Sequence, residues 1–134
     1  MSANSIVFKA DERVFFTKAY PPQLQQVFVN VLRNAVEAIR EAGRERGLIT
    51  IRYDALPQDK LAIRIQDNGF GIPEEDISKL GKFYSTRRSK KPNSGIGLYV
   101  SQRILGFHEG HFEWNSTLHQ GTEVSIVIPS PLYS

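Results

Sequence analysis

An acid and two glycines follow a stretch of alternating apolar and polar residues. Asp67 ends the segment LAIRIQD, and Gly69 and Gly71 come next in the run DNGFGI. Glycine has no Cβ, so the main chain here can approach a flat ligand closely or adopt a positive φ. A tight hairpin turn is the simpler alternative, but Pro73 and a long polar segment follow instead of a second strand. The pattern therefore indicates a binding site at a strand end, with a carboxylate as hydrogen-bond acceptor.

A second pair of glycines, Gly95 and Gly97 in SGIGL, opens a segment with helical periodicity. Free N–H groups at a helix start and the positive end of the helix dipole favour an anion such as phosphate, although simple packing of the helix start also accounts for small residues. Between the two glycine pairs lie hydroxyls and cations, namely Ser85, Thr86, Arg87, Arg88, Lys90 and Lys91. They suit a cover over a polyphosphate, and a solvated charged loop is the alternative.

Two asparagines lie four residues apart in the middle of the longest helical pattern. The pattern runs from Gln23 to about Ala42, and a narrow polar stripe along it includes Asn30 and Asn34. Asn is a poorer helix former than Ala by roughly half a kcal/mol, so two of them in mid-helix need a reason. A solvated helix face accounts for the stripe taken alone. Beside the glycine motifs, we interpret both side chains as carboxamides that face a ligand.

The remaining patterns predict the elements that position these residues. Strand patterns occur at 5–20 (two short strands), 48–56, 61–67, 111–117 and 122–129, and helical patterns at 23–42 and 94–107. This order predicts an α+β two-layer sandwich, with a mixed, mostly antiparallel sheet and both helices on one face. Residues 73–94 should form a long mobile loop with a short helical turn near 74–80. We expect one domain over residues 1–134.

Composition narrows the classes of function. The 134 residues include 17 Lys and Arg and 14 Asp and Glu, a net charge of +3, and much of the positive excess lies in STRRSKK. A local anion site fits this distribution better than a nucleic-acid-binding surface. The absence of cysteine excludes disulfides and thiolate chemistry. No apolar run approaches the roughly 18 residues that span a bilayer, the start lacks a signal peptide, and no P-loop or complete dinucleotide fingerprint is present.

In their order and spacing, the motifs resemble the catalytic ATP-binding domain of sensor histidine kinases. This domain belongs to the Bergerat-fold superfamily that also includes gyrase, the ninety-kilodalton heat-shock chaperones and the MutL repair proteins. NVLRNAVEAI resembles the family's N box, DNGFGIP its first glycine box, KFYST its F box, SGIGL its second glycine box and HQGTEVSIVIP its closing glycine element. The resemblance covers nearly the whole chain, and it implies ATP and Mg²⁺ as cofactors.

The resemblance also implies roles for individual residues. Asp67 would accept a hydrogen bond from the adenine amino group, and Asn34 would be the protein ligand of Mg²⁺. Asn30, Asn34 and Arg87 would be the catalytic residues. The implied ATP-binding residues are Asn30, Asn34, Asp67, Gly69, Gly71, Ile72, Lys82, Tyr84, Thr86, Arg87, Ser94, Gly95, Ile96, Gly97, Leu98 and Thr122.

Asn30 separates two branches of this superfamily. Members that hydrolyse ATP with water carry a glutamate general base at this position, and an amide cannot take a proton from water at neutral pH. Hydrolysis by water should therefore be slow, and the γ-phosphoryl group should be transferred to the imidazole of a histidine. We expect that histidine in a helical dimerisation domain of the same parent protein, absent from this chain. The HEG sequence at 108–110 mimics an acceptor motif, but its glycine would spoil the acceptor helix.

The resemblance further implies a response regulator as the downstream partner and no nucleic-acid partner. We expect this fragment to be monomeric and cytoplasmic, a location compatible with a membrane-tethered parent protein. A stand-alone serine or protein kinase, or an anti-sigma-type nucleotide switch of the same superfamily, is the alternative function. The asparagine at position 30 disfavours it, because those relatives tend to carry an acid there.

Overall fold

The computed structural model describes residues 5–12, 17, 21–73, 75 and 94–130, with the backbone alone described for 94–97. Within these ranges the strands are β1 (Ser5–Ala10), β2 (Arg46–Leu56), β3 (Lys60–Asp67), β4 (His111–Thr117) and β5 (Gly121–Pro129), and the helices are α1 (Pro21–Ala42) and α2 (Ser94–Phe107). Most of the predicted loop at 73–94 lies outside the described residues, as does its predicted helical turn apart from Glu75. So does most of the second short strand expected before residue 20.

The strands form one mixed sheet in the order β1-β2-β3-β5-β4. β1 runs parallel to β2, and the other neighbouring pairs are antiparallel. Leu56 pairs with Lys60 and Thr117 pairs with Gly121, so a hairpin turn follows each of the strands predicted at 48–56 and 111–117. The predicted α+β fold with a mostly antiparallel sheet is confirmed.

The hydrophobic core lies between the sheet and the two helices. Alternate residues of β3, Leu61, Ile63 and Ile65, face the helices and are at most 5% exposed, as the period of two in a strand requires. The side chains that α1 buries recur at helical spacing: Leu24, Val27, Val31, Ala35, Ala38 and Ile39. Burial of this face holds α1 against the end of β3, where the first glycine motif begins.

The helix α1 begins two residues earlier than predicted, at Pro21. Proline suits the first turn of a helix because the N–H that it lacks would have no intrahelical partner there. The helix ends before Gly43, whose φ of +66° matches a left-handed C-terminal cap. No helix in the described ranges is both long and apolar enough to cross a membrane.

Charged side chains join β2, β3 and β5 on the face of the sheet away from the helices. Arg52 contacts Glu123 at 2.5 Å and Arg64 contacts Asp54 at 2.5 Å, and Arg64 also donates to Ser125. The hydrogen bond that Arg52 donates to Glu123 raises the pKa of the Arg52 guanidinium above its ordinary value. A slip of one residue would turn these charges into the core, so they help to define the register that places Thr122 beside Asp67.

Candidate functional site

A pocket lies between α1, the first turns of α2 and the helix-facing side of β3, β4 and β5. It encloses about 430 Å³ of empty space, part of which is open to solvent. Its walls are formed by Val31, Asn34, Ala35, Ala38, Ile65, Asp67, Ile72, Leu98, Trp114, Thr122 and Val124. Most of these side chains are apolar and three are polar, a composition that suits a flat ring with a few hydrogen-bonding groups.

Asp67 supplies the carboxylate of this pocket. It is the last residue of β3, is only 7% exposed, and pairs across the sheet with Thr122. The backbone N–H of Gly69 donates to its Oδ1 at 2.8 Å. A carboxylate oxygen accepts hydrogen bonds, and this carboxylate lies in the pocket wall, so Asp67 is suited to bind a ligand that carries an N–H donor.

The two glycines of the first motif are required by contacts within the protein. A Cβ on Gly69 would lie 2.5 Å from the carbonyl carbon of Ala38, and one on Gly71 would lie 2.9 Å from Cα of Leu118. Gly71 also has a φ of +81°, in agreement with the positive φ considered from the sequence. In the described structure, the main chain at Gly69 closely approaches α1, and the main chain at Gly71 closely approaches the β4–β5 turn.

Hydrogen bonds hold the segment after Asp67 between α1 and the β4–β5 hairpin. The N–H of Phe70 donates to Ala38 O at 3.0 Å, and the N–H of His119 donates to Phe70 O at 2.5 Å. The N–H of Ile72 donates to the Ser116 hydroxyl at 2.8 Å. These bonds fix a stretch without regular structure, and they set Ile72, 5% exposed, in the pocket wall.

Ser116 was not among the sequence-predicted residues, yet it connects two parts of the pocket. Besides the bond from Ile72, its hydroxyl donates to Gly121 O at 3.0 Å and lies 2.7 Å from Oγ1 of Thr122. Thr122 is 6% exposed and lines the pocket. The hydroxyls of Ser116 and Thr122 therefore hold the first glycine motif against the closing glycine element at 119–129.

The two asparagines of α1 have different surroundings. Asn34 is half-buried and lines the pocket. Asn30 is one turn earlier, and its Nδ2 donates to the hydroxyl of Ser101 on α2 at 2.8 Å. Ser101 is fully buried. A solvated helix face is therefore the wrong description of these two residues, since one borders the pocket and the other joins the two helices.

The structure brings together only part of the predicted set. Five of its members line the pocket: Asn34, Asp67, Ile72, Leu98 and Thr122. Four fall outside the described residues: Lys82, Tyr84, Thr86 and Arg87. The backbone of four more forms the first turn of α2, as predicted: Ser94, Gly95, Ile96 and Gly97. The placement of the second glycine pair at a helix start is thus confirmed.

Sequence reasoning missed most of the apolar wall. The missed lining residues are Val31, Ala35, Ala38, Ile65, Trp114 and Val124. Periodicity could have found several of them. Ile65 and Val124 lie two positions from Asp67 and Thr122 along their strands, and hence on the same face of the sheet. Ala38 lies four positions after Asn34 and so shares its helix face.

The HEG sequence at the end of α2 forms a turn and does not continue the helix. Glu109 has a φ of +59°, and the N–H of Gly110 donates to Leu105 O at 2.7 Å. The Nδ1 of His108 lies 2.8 Å from Ile104 O, and the residue is only 9% exposed. A buried imidazole held in this way is poorly placed to attack a nucleotide.

Comparisons with known proteins agree with this geometry. Residues 19–132 match the family described as "Histidine kinase-, DNA gyrase B-, and HSP90-like ATPase". The chain is 37% identical over 110 residues to sporulation kinase E of Bacillus subtilis (strain 168), covering 81% of this chain and 14% of that protein. It is 35% identical over 135 residues to the sensor protein kinase WalK of Staphylococcus aureus, covering 96% of this chain and 32% of that protein.

The chain thus spans less than a third of the length of these curated relatives. Its fold matches that of a mycobacterial sensor histidine kinase, MprB, with a TM-score of 0.82 and 22% identity, covering 95% of this chain and 85% of that one. Because the family match extends over most of the sequence, the chain belongs to the histidine kinase-, DNA gyrase B- and HSP90-like ATPase family, as an ATP-binding catalytic domain of the sensor histidine kinase type.

Proposed function

We propose that this domain binds Mg-ATP in the pocket and transfers the γ-phosphoryl group to a histidine on a separate helical dimerisation domain of the same parent protein. A response regulator then receives the group. The observation that carries the proposal is the buried carboxylate of Asp67 at the end of β3, in a mostly apolar pocket beside α1. Residues 1–134 act as a single monomeric catalytic domain in the cytoplasm, where ATP is supplied.

The adenine ring lies in the apolar part of the pocket. Asp67 accepts a hydrogen bond from the exocyclic amino group, and Thr122 supports that edge of the base. The aliphatic walls from Ile72 and Leu98 exclude water, and this strengthens the hydrogen bond to the carboxylate. The arrangement supports recognition of a base that presents a donor to Asp67 and disfavours one that presents an acceptor.

Asn34 is the residue that would hold Mg²⁺. Mg²⁺ bound with a nucleotide takes one or two protein oxygens and completes its shell with phosphate oxygens and water. The half-buried carboxamide of Asn34 borders the pocket, and it adds no negative charge beside a triphosphate. The donor set therefore fits the ion. When bound, Mg²⁺ would neutralise charge on the β- and γ-phosphates.

The remaining roles concern the phosphates. The first turn of α2 presents backbone N–H groups from residues 94–97, which supports binding of anionic oxygens there. The resemblance implies that Thr86 and Arg87 would close over the phosphates and that Lys82 would help to neutralise their charge; all three lie outside the described residues. Asn30 binds Ser101 and carries an amide rather than an acid, so it cannot activate water as a general base. The γ-phosphoryl group of ATP is therefore not lost to water and remains available to an imidazole nucleophile.

Calorimetry with Mg-ADP tests the base assignment. Asp67→Asn keeps an oxygen that can accept from Gly69 N–H, but it presents an amide where the ligand needs a carboxylate. Loss of a hydrogen bond to a charged group, at about 1.5–3 kcal/mol, predicts affinity about 10- to 150-fold weaker. Asp59→Asn makes the same chemical change in the exposed β2–β3 turn, and we expect it to leave affinity unchanged. Equal affinity in Asp67→Asn and the wild type would refute the assignment.

The transfer reaction has its own test. Incubation with Mg-ATP and the helical hairpin of the parent protein should yield phosphate on the hairpin that is stable to alkali and lost in acid, as expected for phosphohistidine. Without the hairpin, turnover of ATP should be slow. Acid-stable phosphate on a partner would favour the alternative serine or protein kinase, and rapid ATP hydrolysis by the domain alone would contradict the role of Asn30.

A further inference from the structure

We propose that Arg44 is a positioning residue for adenine recognition: its guanidinium orients the peptide unit between Asn68 and Gly69, and through this unit the carboxylate of Asp67. The inference rests on the proposed function, because it concerns the orientation of the group that binds the base. None of the sequence motifs includes Arg44, which lies just beyond the C-terminal cap of α1.

Arg44 makes two hydrogen bonds to main-chain carbonyls on separate segments. Its Nε donates to Asn68 O at 2.8 Å, and its Nη2 donates to His119 O. The first acceptor directly follows the strand that ends in Asp67, and the second lies in the β4–β5 turn. The guanidinium therefore joins the base side of the pocket to the turn that packs against it.

The bond to Asn68 acts on Asp67 through a single rigid unit. The peptide between Asn68 and Gly69 is planar and trans, so its C=O and N–H point in opposite directions. Arg44 binds the C=O, and the N–H donates to Oδ1 of Asp67 at 2.8 Å. Rotation of this plane would weaken both bonds together. A cation at the carbonyl end also polarises the N–H and strengthens its bond to the carboxylate.

The hydrogen bonds of the Asn68 side chain do not replace those of Arg44. The side chain of Asn68 is bound to β2, accepting from Leu48 N at 2.9 Å and donating to Arg46 O at 3.2 Å. These bonds fix the side chain of Asn68, whereas Arg44 fixes its carbonyl. Arginine suits the role because its planar fork presents two donors at fixed angles, while a lysine ammonium offers donors from one point.

The test compares two ligands that differ at the edge of the base. Mg-ADP carries the amino group that donates to Asp67, whereas Mg-IDP carries an oxygen there. Calorimetry on Arg44→Ala should show affinity for Mg-ADP lowered about 3- to 10-fold, the effect of about one hydrogen bond, with affinity for Mg-IDP nearly unchanged. The preference for ADP should fall by the same factor, and Arg44→Lys should recover part of it.

Arg46→Ala is the matched control. Arg46 lies two residues after Arg44 and is exposed, so this change removes a positive charge without touching Arg44. The hydrogen bond that Asn68 donates to the main-chain carbonyl of residue 46 remains. The preference of this variant for ADP should equal that of the wild type. Preference is a ratio measured on molecules that bind, so partial unfolding of a variant does not alter it. Urea unfolding of each variant reports any loss of stability separately.

The possible outcomes separate this inference from the proposed function. If the wild type prefers ADP and Arg44→Ala keeps the full preference, or loses affinity for both ligands equally, the role of Arg44 is refuted and the assignment of Asp67 stands. If the wild type binds ADP and IDP equally well, both are refuted. A preference that falls in Arg44→Ala and is partly restored by lysine supports both.

Discussion

Replacement of Gly71 by alanine tests whether the first glycine motif is required by packing against the β4–β5 turn. Gly71 has a φ of +81°, and a Cβ there would lie 2.9 Å from Cα of Leu118 and closer still to Thr117 O. These are backbone atoms, which cannot rotate aside. Because 3.4 Å is the near limit of ordinary contact, the turn would have to move by half an ångström or more.

The magnitude follows from two contributions. An alanine in the left-handed region costs about 1–2 kcal/mol, partly offset by reduced entropy of the unfolded chain. Overpacking against fixed atoms adds about 1–3 kcal/mol. We therefore expect the free energy of unfolding to fall by about 2–4 kcal/mol. The displaced turn should also weaken the bond from Ile72 N to Ser116, which is 2.8 Å long, and so lower the affinity for Mg-ADP.

Gly43→Ala is the matched control. Gly43 has a similar φ of +66°, but a Cβ there would meet no atom within 4 Å. Only the conformational cost remains, about 1 kcal/mol, and nucleotide affinity should not change. Urea unfolding with linear extrapolation measures both variants. A loss of stability in Gly71→Ala no larger than in Gly43→Ala would refute the packing explanation.

Two further predictions concern other parts of the fold. Asn30→Ala and Ser101→Ala each remove one partner of the 2.8 Å bond between the helices, and each should lower the free energy of unfolding by about 1–3 kcal/mol. The double variant should lose about 1 kcal/mol less than the sum of the two single losses. Strict additivity in urea unfolding would show that the bond contributes nothing. Gln58 has a φ of +65° in the β2–β3 turn, so Gln58→Asn should raise the free energy of unfolding by about 0.5–1 kcal/mol, because asparagine tolerates this conformation. Gln66→Asn, on an exposed strand position, should bring no such gain, and a similar gain there would contradict the reasoning.

Local pattern was sufficient for much of the fold. The spacing of apolar residues predicted α1 to within two residues of its start, and the alternation in β3 and β5 predicted strands that end at Asp67 and begin near Thr122. Such patterns are readable because each element buries one face, and its period follows from its own backbone geometry. The order of the glycine motifs likewise predicted a nucleotide site.

The contacts that complete the pocket could not be read in the same way. Arg44 binds the carbonyl of His119, 75 positions away, and Ser116 accepts from Ile72, 44 positions away. Neither bond leaves a local signature, because a side chain that binds a main-chain carbonyl or N–H places no demand on the residue type of its partner. The contacts that Gly69 and Gly71 make with α1 and the β4–β5 turn could not be read either, since a sequence does not show which backbone approaches a glycine.

The sequence by itself therefore determined which elements form and which residue types could bind a nucleotide, because periodicity and motif chemistry are properties of short segments. Only the tertiary structure decided that Asp67 faces Thr122, that Asn30 is used between the helices, and that Arg44 reaches the peptide beside the carboxylate. These depend on strand register and helix packing, which arise when distant segments bury their apolar faces together.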